Sequence, residues 1–198
     1  RRFDEANRYL ISALAGEGET STKTLHAVEQ LANFEARMAD DITTSQPDRA
    51  RELHASAIDR LERLLGVAET AERHSLLGGT YKRRATAESP AETAKEVLAQ
   101  ASEHYRRAHL LTLQRDDFDP YSAWNWLTLA TILDELVPDA DALVERCEAI
   151  AHVRFSIDRK FFTAVTIADA AVVRALRSGR LGQAGEAGDR EVARLLPP

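Results

Sequence analysis

Three consecutive basic residues, Lys82, Arg83 and Arg84, stand in a chain whose formal net charge is −6. An arginine side chain offers a planar fork of N–H donors that fits a phosphate or a carboxylate, and a lysine adds a mobile positive charge. A protein that binds nucleic acid generically needs a broad basic surface, which the acidic net charge argues against. The cluster therefore indicates a local site for a small anion.

Residues for catalysis or for a metal site are not found at the spacings that such chemistry requires. The six histidines include no His-Glu-x-x-His pair, and His104 and His109 are off one another's helical face. Cys147 is the only cysteine, and its neighbours Val144 and Ile150 indicate a buried apolar position. No serine stands in a nucleophile elbow. We expect a chain that is not an enzyme and that holds neither a metal nor a resident cofactor.

Hydrophobic periodicity predicts the elements that must position the basic cluster. Apolar residues recur at helical spacing along most of the chain, and no segment alternates with period two for long enough to form a strand. The fold class is therefore all-α. Pro47 and Pro120 each open a helix in its first turn. The predicted helices are 4–14, 22–40, 47–65, 70–87, 91–112, 121–136, 140–152, 158–178 and 190–195.

A single domain over residues 1–198 is expected, because a chain of this length with 44% hydrophobic residues buries a sizeable core. Four glycines between Gly179 and Gly188 follow a helix and lack the Lys-Ser/Thr of a phosphate loop. They indicate a flexible connector over 179–189 that leads to a last short helix.

The first residues and the hydropathy of the chain indicate whether it is a fragment and where in the cell it is located. The chain starts at Arg1 and its only methionine is Met38, so we expect a piece of a longer protein. No apolar run approaches the roughly 18 residues of a membrane span, and the first residues given do not resemble a signal peptide. We expect a cytoplasmic protein with no membrane and no nucleic-acid partner.

Small and large residues around the basic cluster follow the skeleton of a helical-hairpin repeat. Leu-Gly-x-x-Tyr at residues 77–81 is followed by Ala-x-x-x-Tyr-x-x-Ala at residues 101–108. In the tetratricopeptide repeat, which this segment resembles, small residues let two antiparallel helices touch and large ones lock them. Tyr81 and Ala101 are further apart than in the standard repeat, so the unit is lengthened. The resemblance implies antiparallel helical hairpins stacked in a short right-handed solenoid whose first helices line a binding surface.

The register of this repeat assigns separate tasks to neighbouring residues. Leu77, Gly78 and Tyr81 fall on positions that pack between the two helices of a hairpin. Lys82 and Arg83 follow at positions that point into the groove. The same register directs further polar residues there, namely Asn33, Arg37 and Asn125. Because asparagine adds a paired donor and acceptor, the set suits an anionic ligand that bears hydroxyl groups or a base.

Two interpretations stay open for the aromatic residues and for one arginine. Tyr81, Tyr105 and Trp124 fall on skeleton positions, which favours core packing, although each could instead supply a stacking surface near the ligand. Trp126 has no skeleton assignment. Arg107 lies near the end of a helix, where it either complements the helix dipole or contacts the ligand.

Longer blocks resemble the tetratricopeptide-repeat sensor domain of bacterial defence proteins. The first block is Glu-Gln-Leu-Ala-Asn-Phe-Glu-Ala-Arg at residues 29–37, and the second runs over residues 72–85. Residues 105–108 and 125–129 continue the similarity, which covers about residues 24–179. In this family the repeats stand behind caspase-like or CHAT protease domains, and they are related to the repeat region of apoptosis-signalling kinases.

The resemblance implies a receptor for a nucleotide signal derived from NAD, of the cyclic ADP-ribose isomer type, which a partner TIR-domain enzyme makes. Ligand binding then activates the attached caspase-like or CHAT effector domain in antiviral defence. The ligand-binding residues that we predict are Asn33, Arg37, Lys82, Arg83, Tyr105, Arg107, Asn125, Trp126 and Asp169.

Roles for these residues form one hypothesis. Arg37, Lys82 and Arg83 hold a pyrophosphate, while the two asparagines bond ribose or adenine edges. Trp126 or Tyr105 stacks on the base. Asp169 belongs to a late family-like pattern in which Phe162 stands where a tryptophan is expected.

A second hypothesis keeps the groove and changes the ligand. A protein-interaction scaffold would grip an acidic peptide, a C-terminus or a partner domain with the same basic and amide groups. A third, a structural spacer or dimerisation module, predicts no convergent polar pocket. The sequence leaves open which nucleotide isomer binds, whether the chain is a homo-oligomer and which effector domain is attached.

Overall fold

The computed structural model describes residues 22–159 and 161–179, together with residues 5, 8 and 11. Helices occupy most of this part of the chain: α1 (Thr22–Ile42), α2 (Pro47–Val67), α3 (Ala71–Ala85), α4 (Ala91–Gln114), α5 (Pro120–Ile132), α6 (Ala140–Asp158) and α7 (Phe161–Arg177). Within these ranges no residue forms a strand, so the all-α prediction is confirmed. Apart from residues 5, 8, 11 and 179, the predicted helices at 4–14 and 190–195 and the connector at 179–189 lie outside the described residues.

Packing contacts divide the chain into two compact units. In the first unit α1 packs on α2 and α3 packs on α4, and α3 also contacts both helices of the preceding hairpin. In the second unit α5, α6 and α7 pack on one another. Neighbouring helices that pair in chain order form the hairpins of a tetratricopeptide-like repeat. The prediction of a single domain over 1–198 stays a prediction.

The first unit is held together by small residues that let its helices approach closely. Ala32, Ala36 and Ala39 of α1 are fully buried, as are Ala50 and Ala57 of α2. Since an alanine loses no side-chain rotamers on burial, such faces pack closely at little entropic cost. The larger buried side chains fill the space between the helices, among them Leu31, Leu61, Leu77 and Tyr105.

Local capping explains where α5 begins and ends. The carboxylate of Asp119 accepts hydrogen bonds from the backbone N–H groups of Tyr121 and Ser122, both at 3.0 Å. At the other end Asp134 has a positive φ of 58°, and the N–H of Glu135 returns to the carbonyl of Ala130 at 2.8 Å. The helix therefore ends at Ile132, before the predicted position 136.

The next helix runs further than the sequence pattern predicted. α6 continues past position 152 to Asp158, because Phe155 lies one turn beyond Ala151 and both side chains are buried against α7. Arg159 then ends the helix with a positive φ of 51°, and its N–H bonds the carbonyl of Phe155 at 3.0 Å. α7 accordingly begins at Phe161.

Candidate functional site

A cleft in the first unit lies between the end of α1 and the end of α3. Its volume is about 460 Å³. The lining side chains are charged groups and threonines, namely Asp40, Thr43, Thr44, Lys82, Arg83 and Thr86. Lys82 and Arg83, which the repeat register directed to the groove, both line this cleft.

An ion pair joins the two helices at the cleft. Nε of Arg83 lies 3.0 Å from Oδ2 of Asp40, and both side chains are about one third exposed. Burial raises the pKa of the Asp40 carboxyl above its usual value, and the positive charge of Arg83 acts against this rise. The pair thus holds a carboxylate and a guanidinium at the surface that a ligand would reach.

The predicted residues of α1 lead along one face towards the same cleft. Arg37 lies one turn before Asp40, and its positive charge, like that of Arg83, opposes the rise in the pKa of the Asp40 carboxyl. Nε of Arg37 donates a hydrogen bond to Oδ1 of Asn33 at 3.4 Å. Four of the predicted ligand residues therefore lie on the α1 and α3 side of the first unit: Asn33, Arg37, Lys82 and Arg83.

Tyr105 belongs to the core, and its predicted role as a stacking surface is wrong. The side chain is fully buried, and its ring packs over the backbone of Gly78. Nζ of Lys82 lies 5.8 Å from the centroid of this ring. Because the ring lies between α3 and α4, it serves to lock the hairpin, which is the core packing that its skeleton position favoured.

His54 is a buried polar residue at the inner side of the ion pair. Its side chain is fully buried on α2, and neither ring nitrogen has a hydrogen-bond partner. Nε2 of His54 lies 4.0 Å from Oδ1 of Asp40. Burial, followed by the positive charges of Arg83 and Arg84, lowers the pKa of His54 to about 4.

Arg107 is engaged in a second polar network of the first unit. Its guanidinium donates two hydrogen bonds to the carboxylate of Glu69, at 2.7 and 3.0 Å. The same carboxylate lies 2.9 Å from Nε2 of His74, whose Nδ1 lies 2.9 Å from Nδ1 of His104. The ring of His104 stacks on that of Tyr81. Ligand contact by Arg107 stays a prediction.

Acidification is expected to destabilise the first unit through His54 and His104, whose pKa values burial lowers. The pKa of His104 is lowered to about 4 by burial and by the charge of His74, and that of His54 is equally low. Between about pH 4 and pH 6.5 the folded chain binds fewer protons than the unfolded chain, so stability is complete above this window and falls as the pH drops through it. We expect His54 alone to cost about 2 kcal/mol between pH 7 and pH 5.

Urea unfolding followed by circular dichroism at several pH values measures this loss. The variant His54→Gln should flatten the dependence, whereas His152→Gln, at an exposed position on α6, should leave it unchanged. A free energy of unfolding that is constant from pH 7 to pH 5 would contradict the expectation.

The second unit holds the remaining predicted residues, and one of them lines a smaller cavity. Asn125 donates a hydrogen bond to the carbonyl of Tyr121 at 2.9 Å. The cavity has a volume of about 220 Å³. Its lining residues are Pro120, Tyr121, Trp124, Asn125, Ala151, Arg154, Thr163 and Thr166.

Trp126 and Asp169 are not among the residues that line this cavity. Trp126 is half-buried and packs against the main apolar cluster of the second unit. Asp169 is half-buried on α7, and the side chains of Phe161 and Phe162, on which its assignment partly rests, lie outside the described part. Ligand contact by Trp126 and by Asp169 stays a prediction.

Sequence reasoning missed the partners that complete the cleft. Asp40 of α1 and Thr43, directly after α1, continue the helical spacing of Asn33 and Arg37, so this polar stripe was visible in the sequence. His54 falls at helical spacing among the apolar residues of α2, which marks it as a buried histidine. What periodicity does not reveal is that these two faces meet at Arg83.

Metal binding and membrane insertion find no support in the described residues. Among them no three His, Cys, Asp or Glu side chains are grouped closely enough to hold a metal ion. No described helix combines the length and the apolar character that are needed to cross a membrane.

The described helices pair into hairpins, and inside one hairpin Gly78 contacts Tyr105. Polar groups lie where the ends of α1 and α3 meet. These features define a repeat protein of the tetratricopeptide class. The family model described as Tetratricopeptide Repeats-Sensor matches residues 2–130, well over half of the chain. The chain belongs to this family, as its sequence blocks predicted, and it is a sensor domain of the tetratricopeptide type. The family description names a repeat and a sensor and no catalytic activity. Comparison with curated proteins and with solved structures gives no match.

Proposed function

We propose that this sensor domain binds the phosphates of a small nucleotide in the cleft between α1 and α3. The observation that carries the proposal is that Lys82 and Arg83 line a cavity of about 460 Å³, with Arg37 one turn before Asp40, which also lines it. Sites for small molecules generally measure about 300–1,000 Å³. A dinucleotide-sized signal fits that range, whereas a long peptide needs an extended groove.

The polar groups of the cleft match the parts of such a ligand. The forks of the arginines and the ammonium group of Lys82 suit the oxygens of a pyrophosphate. The hydroxyls of Thr43 and Thr86 donate to the carbonyls of Ala39 and Arg83, both at 2.7 Å, so each keeps its lone pairs for a ribose hydroxyl.

The ligand that we propose is a nucleotide derived from NAD, of the cyclic ADP-ribose isomer type, and its proposed source is a TIR-domain enzyme. Binding would stabilise the arrangement of α1 and α3 in which both helices contact the ligand. An attached caspase-like or CHAT effector domain in the cytoplasm would respond only if the ligand binds this arrangement of the helices more tightly than another arrangement.

Calorimetry with cyclic ADP-ribose isomers tests the cleft. The double variant Lys82→Ala with Arg83→Ala removes two charge-assisted contacts, each of about 1.5–3 kcal/mol, so we expect binding to weaken by at least about 100-fold. The control is Lys95→Ala with Arg63→Ala, which removes the same charge from exposed positions of α4 and α2.

The control separates local contacts from the overall field of the protein. We expect it to retain its affinity within about threefold, because exposed charges at a distance are screened by salt. Equal losses in the two double variants, or no heat with any isomer, would remove the cleft as the nucleotide site.

The cavity of the second unit favours a second candidate function, the capture of a polypeptide C-terminus. The guanidinium of Arg154 suits a carboxylate, while Tyr121 and Trp124 offer an apolar wall. Its volume of about 220 Å³ suits one terminal residue better than a dinucleotide.

A fluorescent peptide that ends in an apolar residue with a free carboxylate tests this second candidate. We expect Arg154→Ala to weaken its binding by about tenfold, and amidation of the peptide to have the same effect. The Lys82 and Arg83 double variant is the control and should bind the peptide normally. Binding that is insensitive to amidation would contradict a carboxylate site.

A further inference from the structure

His54 stands out because a fully buried imidazole with no hydrogen-bond partner lies directly behind the proposed anion site. Buried polar groups are almost always paired, and an unpaired one costs about 1–3 kcal/mol. The nearest acidic group is the carboxylate of Asp40, with Nε2 of His54 at 4.0 Å from Oδ1. That carboxylate is occupied by Arg83, whose Nε lies 3.0 Å from Oδ2.

The charged groups that act on His54 come from three parts of the first unit. Asp40 faces it from α1, and Arg83 and Arg84 act on it from α3. Glu88, which follows α3 and pairs with Arg84 at 2.8 Å, contributes a weaker negative charge. Only the pair between Asp40 and Arg83 lines the cleft.

We infer that an anion bound at Arg83 releases Asp40 to His54, so that ligand binding is coupled to the uptake of one proton by the imidazole. This inference rests on the proposed function of the cleft. The proton comes from solvent and is bound at Nε2, which then donates to Oδ1 of Asp40. His54 is thereby a positioning residue of the site, because it holds the carboxylate that the ligand displaces.

Two electrostatic changes act in the same direction when an anion binds. In the free protein the positive charge of Arg83 lowers the pKa of His54, and the negative charge of a bound ligand offsets this effect. The carboxylate of Asp40, no longer shared with the guanidinium, becomes available at hydrogen-bond distance after a movement of about 1 Å. Both changes stabilise the imidazolium, so binding must strengthen as the pH falls.

Sulfate is the first probe, because it keeps its double negative charge across the pH range of the experiment. Calorimetry in two buffers with different ionisation enthalpies gives the number of protons bound with the anion. We expect an uptake of up to about one proton near pH 5.5, and an affinity that rises by up to about tenfold for each pH unit lowered in that window. Cyclic ADP-ribose should show the same uptake if it occupies the same cleft.

His54→Gln should abolish the uptake and keep measurable sulfate binding, while His109→Gln, at a buried position of α4, should leave the uptake unchanged. Sulfate that binds with no proton uptake, or with uptake that survives in His54→Gln, would overturn the coupling and leave the anion site intact. No binding of any anion would overturn both proposals.

A second measurement needs no ligand and no substitution of the histidine. In Arg83→Gln the guanidinium is gone and Asp40 is free, so the titration of His54, followed by nuclear magnetic resonance of its ring, should move to higher pH than in the wild-type chain. Arg63→Gln, at an exposed position of α2, is the matched control and should leave the midpoint unchanged. An unchanged midpoint in Arg83→Gln would contradict the inference directly.

Discussion

Replacing Arg73 with alanine is expected to lower the free energy of unfolding by about 3–5 kcal/mol, because the substitution leaves a buried carboxylate without its partner. Nε of Arg73 donates to Oε1 of Glu29 at 2.8 Å, and both side chains are less than 10% exposed. Nη1 of the same guanidinium donates to the carbonyls of Leu64 and Ala68 at the end of α2. A single side chain of α3 therefore joins three helices of the first unit.

Urea unfolding monitored by circular dichroism measures the loss. Arg63→Ala is the control, since Arg63 is mostly exposed and its pair with Asp59 lies on one helix, where such pairs contribute about 0.3–0.5 kcal/mol. The double variant Arg73→Met with Glu29→Leu should recover only part of the loss, because the carbonyls of Leu64 and Ala68 lose their hydrogen bonds from the guanidinium. Full recovery would show that the carbonyl contacts contribute nothing.

The contrast between Arg73 and the polar stripe of α1 shows what the sequence can predict about this site. Asn33, Arg37 and Asp40 recur at helical spacing, so a single helix brings them to one face whatever the rest of the chain does. Arg73 and Glu29 are 44 positions apart, and Arg107 and Glu69 are 38 apart. Such pairs depend on how hairpins stack, which periodicity within one helix does not encode.

The fold could be predicted more fully than the site, because the sequence patterns that specify helices are local. Apolar periodicity and the proline and aspartate caps placed the starts of the helices from α1 to α7 within about three residues, and the largest error, six residues, is at the end of α6. The errors arose at helix ends that depend on a left-handed residue other than glycine, such as Asp134 and Arg159. These residue types adopt positive φ only when the surrounding contacts require it, so the sequence gives a weak signal there.

Tyr105 shows the limit of assigning function to aromatic residues. The repeat skeleton assigns this side chain to the core, whereas the ligand hypothesis assigns it to a stacking surface. Its complete burial against Gly78 favours the core. A residue that locks a hairpin and a residue that stacks on a ligand have the same amino-acid type and similar spacing. Only the distance to the facing backbone separates the two roles.

That distance makes Gly78→Ala the second substitution with a large expected effect. A Cβ atom at position 78 would lie 2.8 Å from Cδ2 and Cε2 of Tyr105 and 2.9 Å from Cγ, closer than real contacts allow. The ring is fully buried and has no free space to move into, so α3 and α4 must separate. We expect a loss of about 3 kcal/mol in the free energy of unfolding, the upper end of overpacking effects.

Gly66→Ala is the matched control, because Gly66 lies in α2 and a Cβ atom there would meet nothing within 4 Å. Alanine in a helix is favoured over glycine by about 0.5–1 kcal/mol, so this variant should be more stable than the wild-type chain. The same chemical change thus has opposite signs at two helical glycines, and urea unfolding measures both. If Gly78→Ala proves as stable as Gly66→Ala, the close contact of α3 with Tyr105 is not what locks the hairpin.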